Sequence, residues 1–418
     1  GIVMVVSSAK GLARLCVILS LFQTSGKVMR VHEGRTSVRG FPSRLSGRLR
    51  RATSSRKPPN TAVQSKRTAG AGTSDGVQAL AAVPGEAWRD VESVEVSQSR
   101  DGFSVVISPR VSASREFLGK FLVANEDWLR ELLHKNGAVM VRGFDVKTAA
   151  DFNNVLPMQL GSDMKKGFIF DVIYKTIIAS VFTLFKDLGN IDPGRNMNLG
   201  AGGRIQILAP ASDCIQGPHQ ESLTLATRLS QRYIAFHCET KPEYRGETAI
   251  FDTHGAYKDL DDDLKQLLNS HYWRFRDVSG KFTSDLIPCV VNHEDESKPC
   301  IQVYAFGEMG ETAAEVARKA TNRDNLKPDP YLYGVTSFVL RSKESGEDRE
   351  MSMDERRRLM EALYSNVELC AWQEGDVMLL DNISVAHGRM DGRGRRKINF
   401  CGICDYLLDI NDYPRKKK

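Results

Sequence analysis

Acidic residues are scarce at the beginning of the sequence. Residues 1–85 contain 14 Lys and Arg but only Glu33 and Asp75, which gives this segment a net charge of +12. Residues 86–418 carry 44 basic and 50 acidic side chains, so their net charge is −6. The overall charge of +6 therefore comes from a basic leader on a slightly acidic body, and it gives no reason to expect a nucleic-acid partner.

The sequence also lacks a long apolar run and a framework of paired cysteines. A membrane span needs roughly 18 consecutive apolar residues, and the best candidate, 169–185, is interrupted by Asp171 and Lys175. The eight cysteines are scattered, and only Cys401 and Cys404 form a C-x-x-C pair. No second pair or finger-spaced histidines accompany it, so we expect neither stable membrane insertion, nor a disulfide scaffold, nor a zinc finger.

Residues 1–85 have the composition of a targeting segment. They are rich in Arg and Ser, poor in acids and interrupted by Pro58-Pro59 and by a small-residue run at 68–74. Such a segment buries too little apolar surface to offset the entropy of ordering, so we predict a disordered basic leader. The composition favours an organellar transit peptide, for mitochondrion or plastid, over a simple basic tail, which would leave the protein cytoplasmic.

The body, residues 86–418, alternates segments typical of helices and strands. Apolar spacing predicts a helix face at 128–133 that ends at Asn136-Gly137, and Ser352-x-x-Glu355 is a capping box that opens another helix. Short strands dominate the second half, at 204–208, 233–238, 248–251, 301–305, 367–372, 377–380 and 398–404. We therefore predict a mainly β, α+β fold: a double-stranded β-helix (jelly roll) core with helical decorations, and not a doubly wound sheet.

One short motif carries metal chemistry. In His219-Gln220-Glu221 the imidazole and the carboxylate are two residues apart on an extended segment, so they project to the same side and can reach one ion. His387 is a second histidine candidate, far along the chain. Two histidines and one carboxylate form the facial triad of non-haem Fe(II) oxygenases, which leaves three coordination positions open.

Four segments in order strengthen this interpretation. They are 136–144, His219-Gln220-Glu221, the run 234–252 with its Gly246-Glu247-Thr248 turn, and the run from Trp372 to His387-Gly388-Arg389. In this set the chain resembles the Fe(II)/2-oxoglutarate-dependent dioxygenases of the taurine dioxygenase (TauD/TfdA) and clavaminate synthase-like superfamily, over about residues 115–405.

The resemblance implies a cofactor set and a site. Fe(II) would be held by His219, Glu221 and His387, with 2-oxoglutarate as co-substrate and O₂ as oxidant. The far carboxylate of 2-oxoglutarate would pair with Arg396, for which Arg395 is the near rival, and the Thr248 hydroxyl would assist. Arginine suits this role because its planar guanidinium binds a carboxylate through two parallel hydrogen bonds.

The other polar residues near these motifs have simpler interpretations. We expect His254 to lie in a turn beside the Gly246-Glu247-Thr248 segment, His237 to be packed in a strand, and Asp376 and Asp381 to stabilise turns. Relatives that halogenate replace the acidic ligand with a small residue. Since Glu221 is present, the resemblance implies hydroxylation or a related oxidation.

The expected function is hydroxylation of an unactivated C–H bond in a small molecule, an amino acid or a related carboxylate or sulfonate, with release of succinate and CO₂. The alternative is a catalytically degenerate jelly roll that binds a small ligand or partner without turnover. The resemblance leaves the substrate and the oligomeric state open. Inserts relative to the family are expected near 165–190 and 307–347.

Overall fold

The structure is a computed structural model, and it describes residues 86–99, 102–157, 206–208, 211–221, 229–277, 286–293, 298–330, 335–403 and 407–409. The predicted leader at 1–85, the insert predicted near 165–190 and Cys404 lie outside these ranges.

The helices of the described residues follow two short 3-10 turns at Ala87–Arg89 and Val91–Ser93. They are α1 Arg115–Ala124, α2 Glu126–Asn136, α3 Ala149–Val155, α4 Thr253–Asp259, α5 Asp262–Ser270, α6 Glu308–Thr321 and α7 Met353–Ser365. The predicted stop at Asn136-Gly137 and the predicted capping box at Ser352 are both confirmed. Gly137 has a φ of +74°, which favours glycine, and the side chains of Ser352 and Glu355 cap each other's backbone N–H groups.

The strands are short, as expected, but the strand predicted at 301–305 is wrong in its bounds, because the observed strand ends at Ile301. They are β1 Val94–Gln98, β2 Val105–Pro109, β3 Ala138–Val141, β4 Gln206–Ile207, β5 Cys214–His219, β6 Leu229–Gln231, β7 Tyr233–Thr240, β8 Tyr244–Arg245, β9 Thr248–Asp252, β10 His271–Asp277, β11 Ile287–Pro288, β12 Val290–Asn292, β13 Pro299–Ile301, β14 Lys327–Pro328, β15 Val335–Ser342, β16 Asp348–Arg349, β17 Val367–Cys370, β18 Val377–Asp381, β19 Val385–Arg389, β20 Gly392–Arg393, β21 Lys397–Gly402 and β22 Leu407–Asp409.

Two sheets form the body of the fold. The larger has the strand order β1-β2-β3-β18-β7-β21-β4, and the smaller has the order β14-β5-β19-β9-β17. Both are mixed, because β2 runs parallel to β3 and β14 parallel to β5. Strands β4, β7, β18 and β21 lie in the larger sheet, and β5, β9, β17 and β19 lie in the smaller one. This interleaving is the predicted double-stranded β-helix, and the two sheets stay open rather than closing into a barrel.

Alternation along the strands sorts the apolar side chains into layers. In β7, Ile234 and Phe236 join a cluster that also contains Ile250 and Val385 of the smaller sheet, so this cluster fills the space between the sheets. Tyr233 and Ala235 point the other way, into a cluster shared with α1, α2 and α3. The outer face of the smaller sheet packs on α4, α6 and α7.

The described parts of residues 307–347 contribute directly to this core. Helix α6 buries Met309, Ala313 and Ala317 in the cluster behind the smaller sheet, and β15 pairs with β10.

Among the described residues, none of the helices is long and apolar enough to span a bilayer.

Candidate active site

Strands β5 and β19 place the two predicted histidine ligands side by side. His219 is the last residue of β5, and it pairs directly with His387 of β19 across the antiparallel ladder, with 4.4 Å between the ring centroids. Glu221 follows two residues later, and its Oε1 lies 3.9 Å from His219 Nε2 and 3.5 Å from His387 Nε2. One potential ligand atom from each residue lies within 4.8 Å of the others. The structure thus gathers these three side chains at one point.

The surroundings of the imidazoles suit a metal centre. His219 Nδ1 lies 2.9 Å from the Gly217 carbonyl oxygen, to which it donates, and this bond orients the ring with Nε2 3.9 Å from Glu221 Oε1. The His219 ring packs 4.9 Å from Phe306, and the His387 ring packs 5.1 Å from Phe236. Both histidine side chains are buried, whereas Glu221 is 23% exposed. Two imidazoles and one accessible carboxylate form a donor set that fits a divalent iron.

A bulge next to His387 shapes the site. The β5–β19 register slips between His387 and Arg389, so that Arg389 pairs with Gln216. The backbones approach so closely here that a Cβ on Gly388 would lie 2.4 Å from the Gln216 carbonyl oxygen, which explains the glycine. His387 and Arg389 are two apart in one strand, and both line the same pocket.

The pocket around the three side chains contains two further residues singled out in the sequence, Thr248 and Arg396. Its lining is Leu208, Gln216, His219, Glu221, Phe236, Thr248, His387, Gly388, Arg389 and Arg396. Thr248 is buried at the start of β9, and its Oγ1 accepts a hydrogen bond of 3.1 Å from Trp372 Nε1. Since this bond uses an oxygen lone pair, the hydroxyl proton is left to donate to another group.

The two candidate arginines differ in position. Arg396 is buried against the pocket, where its Nε donates to the Gly246 carbonyl oxygen at 3.3 Å, whereas Arg395 is exposed and is not part of the pocket lining. Burial, together with the positive charge of Arg389, lowers the pKa of Arg396 to about 9. Arg396 therefore remains protonated at neutral pH.

Arg389, whose role the sequence leaves open, pairs with an acid. Its Nη2 lies 3.1 Å from Asp329 Oδ2, and both side chains are buried. Sequence inspection alone misses Asp329, because it follows β14 and no local motif connects it with the metal-binding residues.

The residues given structural interpretations lie away from the pocket. His254 is in the first turn of α4, and its Nδ1 lies 2.9 Å from the Pro299 carbonyl oxygen. His237 is buried, with Nε2 2.9 Å from the Val146 carbonyl oxygen. Asp376 accepts from the backbone N–H of Gln373 and pairs with Arg142 at 2.6 Å, which confirms its role in a turn.

A second group of two histidines and a carboxylate has no signal in the sequence. His134 from α2, His293 and Asp381 also bring ligand-type atoms within 4.8 Å of one another. Arg232 contacts all three: it pairs with Asp381, and its Nη2 lies 3.1 Å from His134 Nε2 and 2.8 Å from His293 Nε2. Asp381 thus does more than stabilise a turn, since it also balances a buried arginine.

Comparisons with known proteins define the class. Residues 109–401 match the taurine catabolism dioxygenase TauD, TfdA family. A clavaminate synthase-like protein of Arabidopsis thaliana is 25% identical over 326 residues, covering 69% of this chain and 89% of that protein. In structure, the chain is similar to PvcB of Pseudomonas aeruginosa (15% identity, 77% of this chain, 95% of that one, TM-score 0.49). It is also similar to a taurine dioxygenase from Burkholderia xenovorans (13% identity, 76% of this chain, 90% of that one, TM-score 0.45).

The family match spans more than half of the chain, so the protein belongs to the TauD/TfdA family. It is an enzyme of the Fe(II)- and 2-oxoglutarate-dependent dioxygenase class, as the ordered motifs predict. Iron and 2-oxoglutarate are the cofactor and co-substrate of this class.

Proposed function

We propose that the protein hydroxylates an unactivated C–H bond of a small molecule, an amino acid or a related carboxylate or sulfonate. The observation that carries the proposal is the convergence of His219, Glu221 and His387 in a pocket that also contains a buried arginine. Fe(II) bound in this pocket with 2-oxoglutarate and O₂ would supply the oxidising power, with succinate and CO₂ released.

In this proposal the protein's own residues hold and orient the reactants. His219, Glu221 and His387 are the iron ligands, and their charges sum to −1 when both imidazoles are neutral. A divalent iron held there keeps a net positive charge that attracts an anionic 2-oxoacid. The rings of Phe236 and Phe306 pack against the imidazoles and limit the access of water to them.

Arg396 and Thr248 are the proposed partners of 2-oxoglutarate. Both line the pocket, and the guanidinium is protonated at neutral pH in a buried place, where a carboxylate gains most from pairing with it. The Thr248 hydroxyl, which accepts from Trp372, can donate its proton to the same carboxylate. Arg395 lacks this position because it is exposed.

The substrate class rests on the polar part of the pocket. Arg389 and Gln216 lie beside the histidine pair, and Arg389 is balanced by Asp329. A small substrate with an acidic group would meet these side chains, whereas a nucleic acid or a folded protein partner would not fit among buried side chains.

The experiment is a screen of amino acids, sulfonates and related acids for substrate-dependent consumption of 2-oxoglutarate. Apo-protein is loaded anaerobically with Fe(II), exposed to O₂, and assayed for succinate. We expect slow succinate release without substrate and faster release, with a hydroxylated product, for at least one acid. No succinate release under any condition would contradict the proposal.

A pair of adjacent substitutions tests the binding of 2-oxoglutarate. Arg396→Lys keeps the charge but loses the planar guanidinium. We therefore expect the Kd of 2-oxoglutarate to rise roughly 30-fold, which corresponds to a loss of about 2 kcal/mol of binding free energy. Arg395→Lys is the matched control, and we expect its Kd to stay within about 2-fold of wild type, a difference of about 0.4 kcal/mol. The reverse pattern, measured by calorimetry on the metal-loaded protein, would assign the role to Arg395.

A further inference from the structure

The three proposed iron ligands are held by different means. His219 and His387 lie in paired strands, so the β5–β19 ladder fixes their backbones. Glu221 lies two residues beyond the end of β5, where the ladder has stopped. Gln220, which lies between His219 and Glu221, is fixed through its buried side chain. This side chain donates to the Ile301 carbonyl oxygen at 2.9 Å and accepts from the Val303 N–H at 2.8 Å.

At Glu221, the Asn382 side chain makes the backbone hydrogen bonds that a neighbouring strand would otherwise make. Its Oδ1 accepts from the Glu221 backbone N–H at 3.0 Å, and its Nδ2 donates to the Glu221 carbonyl oxygen at 3.2 Å. The side-chain amide thus makes the two hydrogen bonds that a neighbouring strand residue would make with its own peptide group. Asn382 itself is fully buried.

Asparagine is well suited to this contact. Among short side chains it offers both an amide donor and a carbonyl acceptor in one plane. Aspartate would present a second acceptor to the Glu221 carbonyl oxygen, and alanine would present nothing. Either change would leave a backbone group of Glu221 without this partner.

The turn that carries Asn382 is itself firmly held. The Asn382 backbone N–H donates to the Arg232 carbonyl oxygen at 3.0 Å. The preceding Asp381 carboxylate accepts from the backbone N–H of Ile383 at 3.0 Å and pairs with the Arg232 side chain. Because the turn is rigid and Asn382 is hydrogen-bonded to the Glu221 backbone, that backbone is fixed relative to β18 and β19, which the turn connects.

We propose that Asn382 is a positioning residue for the acidic iron ligand: its side chain clamps the Glu221 backbone and so sets where the carboxylate stands relative to the two imidazoles. The inference rests on the proposed function, since it takes Glu221 as a ligand. A glutamate side chain has three rotatable bonds, and an unfixed backbone would add to the conformational freedom that is lost on metal binding. The hydrogen bonds from Asn382 restrict the Glu221 backbone before the metal binds, so less conformational entropy is lost on binding.

The test measures Co(II) binding to the full-length apo-protein by calorimetry and by the visible absorption of the bound ion. We expect Asn382→Ala to raise the Kd for Co(II) by about 10–100-fold, the range typical for loss of a group that orients a ligand. Asn382→Asp should also weaken binding and change the Co(II) spectrum, and it serves if the alanine variant does not fold.

Asn399→Ala is the matched control. Asn399 is equally buried and makes side-chain hydrogen bonds to His237 and Glu239, away from the pocket. Its loss should lower the thermal unfolding temperature while changing the Kd for Co(II) by no more than about 3-fold, a difference of about 0.7 kcal/mol.

A double-mutant cycle separates positioning from general structural damage. If Asn382 acts through Glu221, then adding Asn382→Ala to Glu221→Ala should weaken Co(II) binding little further. An unchanged Kd in Asn382→Ala, or an equal loss in both backgrounds, would overturn the inference while leaving the ligand assignment intact. An unchanged Kd in Glu221→Ala would overturn the ligand assignment and the inference with it.

Discussion

Among the residues that the structure describes, two clusters each combine two histidines with one carboxylate, and they differ in almost everything else. His219, Glu221 and His387 form one, and His134, His293 and Asp381 form the other, each with ligand-type atoms within 4.8 Å. In the first cluster Glu221 is 23% exposed and all three members line a pocket. In the second, His293 and Asp381 have no exposed side-chain surface.

Arg232 accounts for the difference in chemistry. It contacts His134, His293 and Asp381, so a cation already stands where a metal ion would have to bind. Burial opposes ionisation of Asp381, yet the charge of Arg232 and the hydrogen bond from His293 hold the pKa of Asp381 well below its ordinary value. Burial, and then Arg232, lower the pKa of His134 to about 3.

The comparison teaches that a donor set defines a metal site only when it is accessible and not already neutralised. The second cluster is a buried ion pair with two histidine partners, and it holds together α2, β18 and the segments that carry Arg232 and His293. Its contribution is to the fold, whereas the pocket cluster is the one proposed to bind the metal.

The largest expected effect comes from removing a ligand of the pocket cluster. Metal sites with a complete protein ligand set gain about 10–16 kcal/mol on binding, so the loss of one of three ligands in Glu221→Gln should weaken metal binding by at least about 4 kcal/mol, roughly 1,000-fold. Because the side chain is partly exposed, the free energy of unfolding of the apo-protein should change by less than about 1 kcal/mol. Metal titration and urea unfolding check both parts, and retained affinity would contradict the assignment.

A change in the buried cluster should show the opposite pattern. Arg232→Met leaves Asp381 as a buried charge without its cation, so we expect the free energy of unfolding to fall by about 3 kcal/mol or more. The folded variant should still bind one equivalent of Co(II), because the pocket ligands are unchanged. Loss of the bound ion with unaltered stability would show that the roles of the two clusters are reversed.

Over a single pH unit, the pH dependence gives the smallest effect. The pKa of His134 lies near 3 in the folded protein, below its ordinary value of 6.5. The unfolded chain therefore takes up a proton that the folded protein does not, and stability falls as the pH decreases from 6.5 toward 3, by up to about 1.4 kcal/mol per pH unit. In His134→Gln the slope of the free energy of unfolding against pH should decrease by up to about 1.4 kcal/mol per pH unit, which is the contribution of one proton. Urea midpoints measured across this range would show identical slopes if the proposed cause were wrong.

Many local features were predictable because they depend on neighbouring residues. The helix stop at Gly137, the capping box at Ser352 and the strand at 233–238 follow from backbone preferences and periodicity. The jelly-roll class followed from the density of short strands and from the family resemblance. The H-x-E motif predicted a shared direction for His219 and Glu221, because two residues of an extended segment point the same way.

Other features could not be seen in the sequence because they depend on register and packing. The position of Arg396, buried while its neighbour Arg395 is exposed, depends on how the chain enters β21. The bulge that places Arg389 beside Asp329 arises from the fit of two backbones at Gly388. The clamp of Asn382 on Glu221 joins residues 161 positions apart.

The amino-acid sequence alone determined which chemical groups are present, in what order, and local features such as the helix stop at Gly137 and the cap at Ser352, since these depend on interactions within a few residues. Only the tertiary structure decided how closely His219 and His387 approach Glu221, and that two further histidines, His134 and His293, surround Arg232. The physical reason is that a side chain's role is set by burial and by the charges around it, and both come from parts of the chain that meet only when the sheets pair and pack.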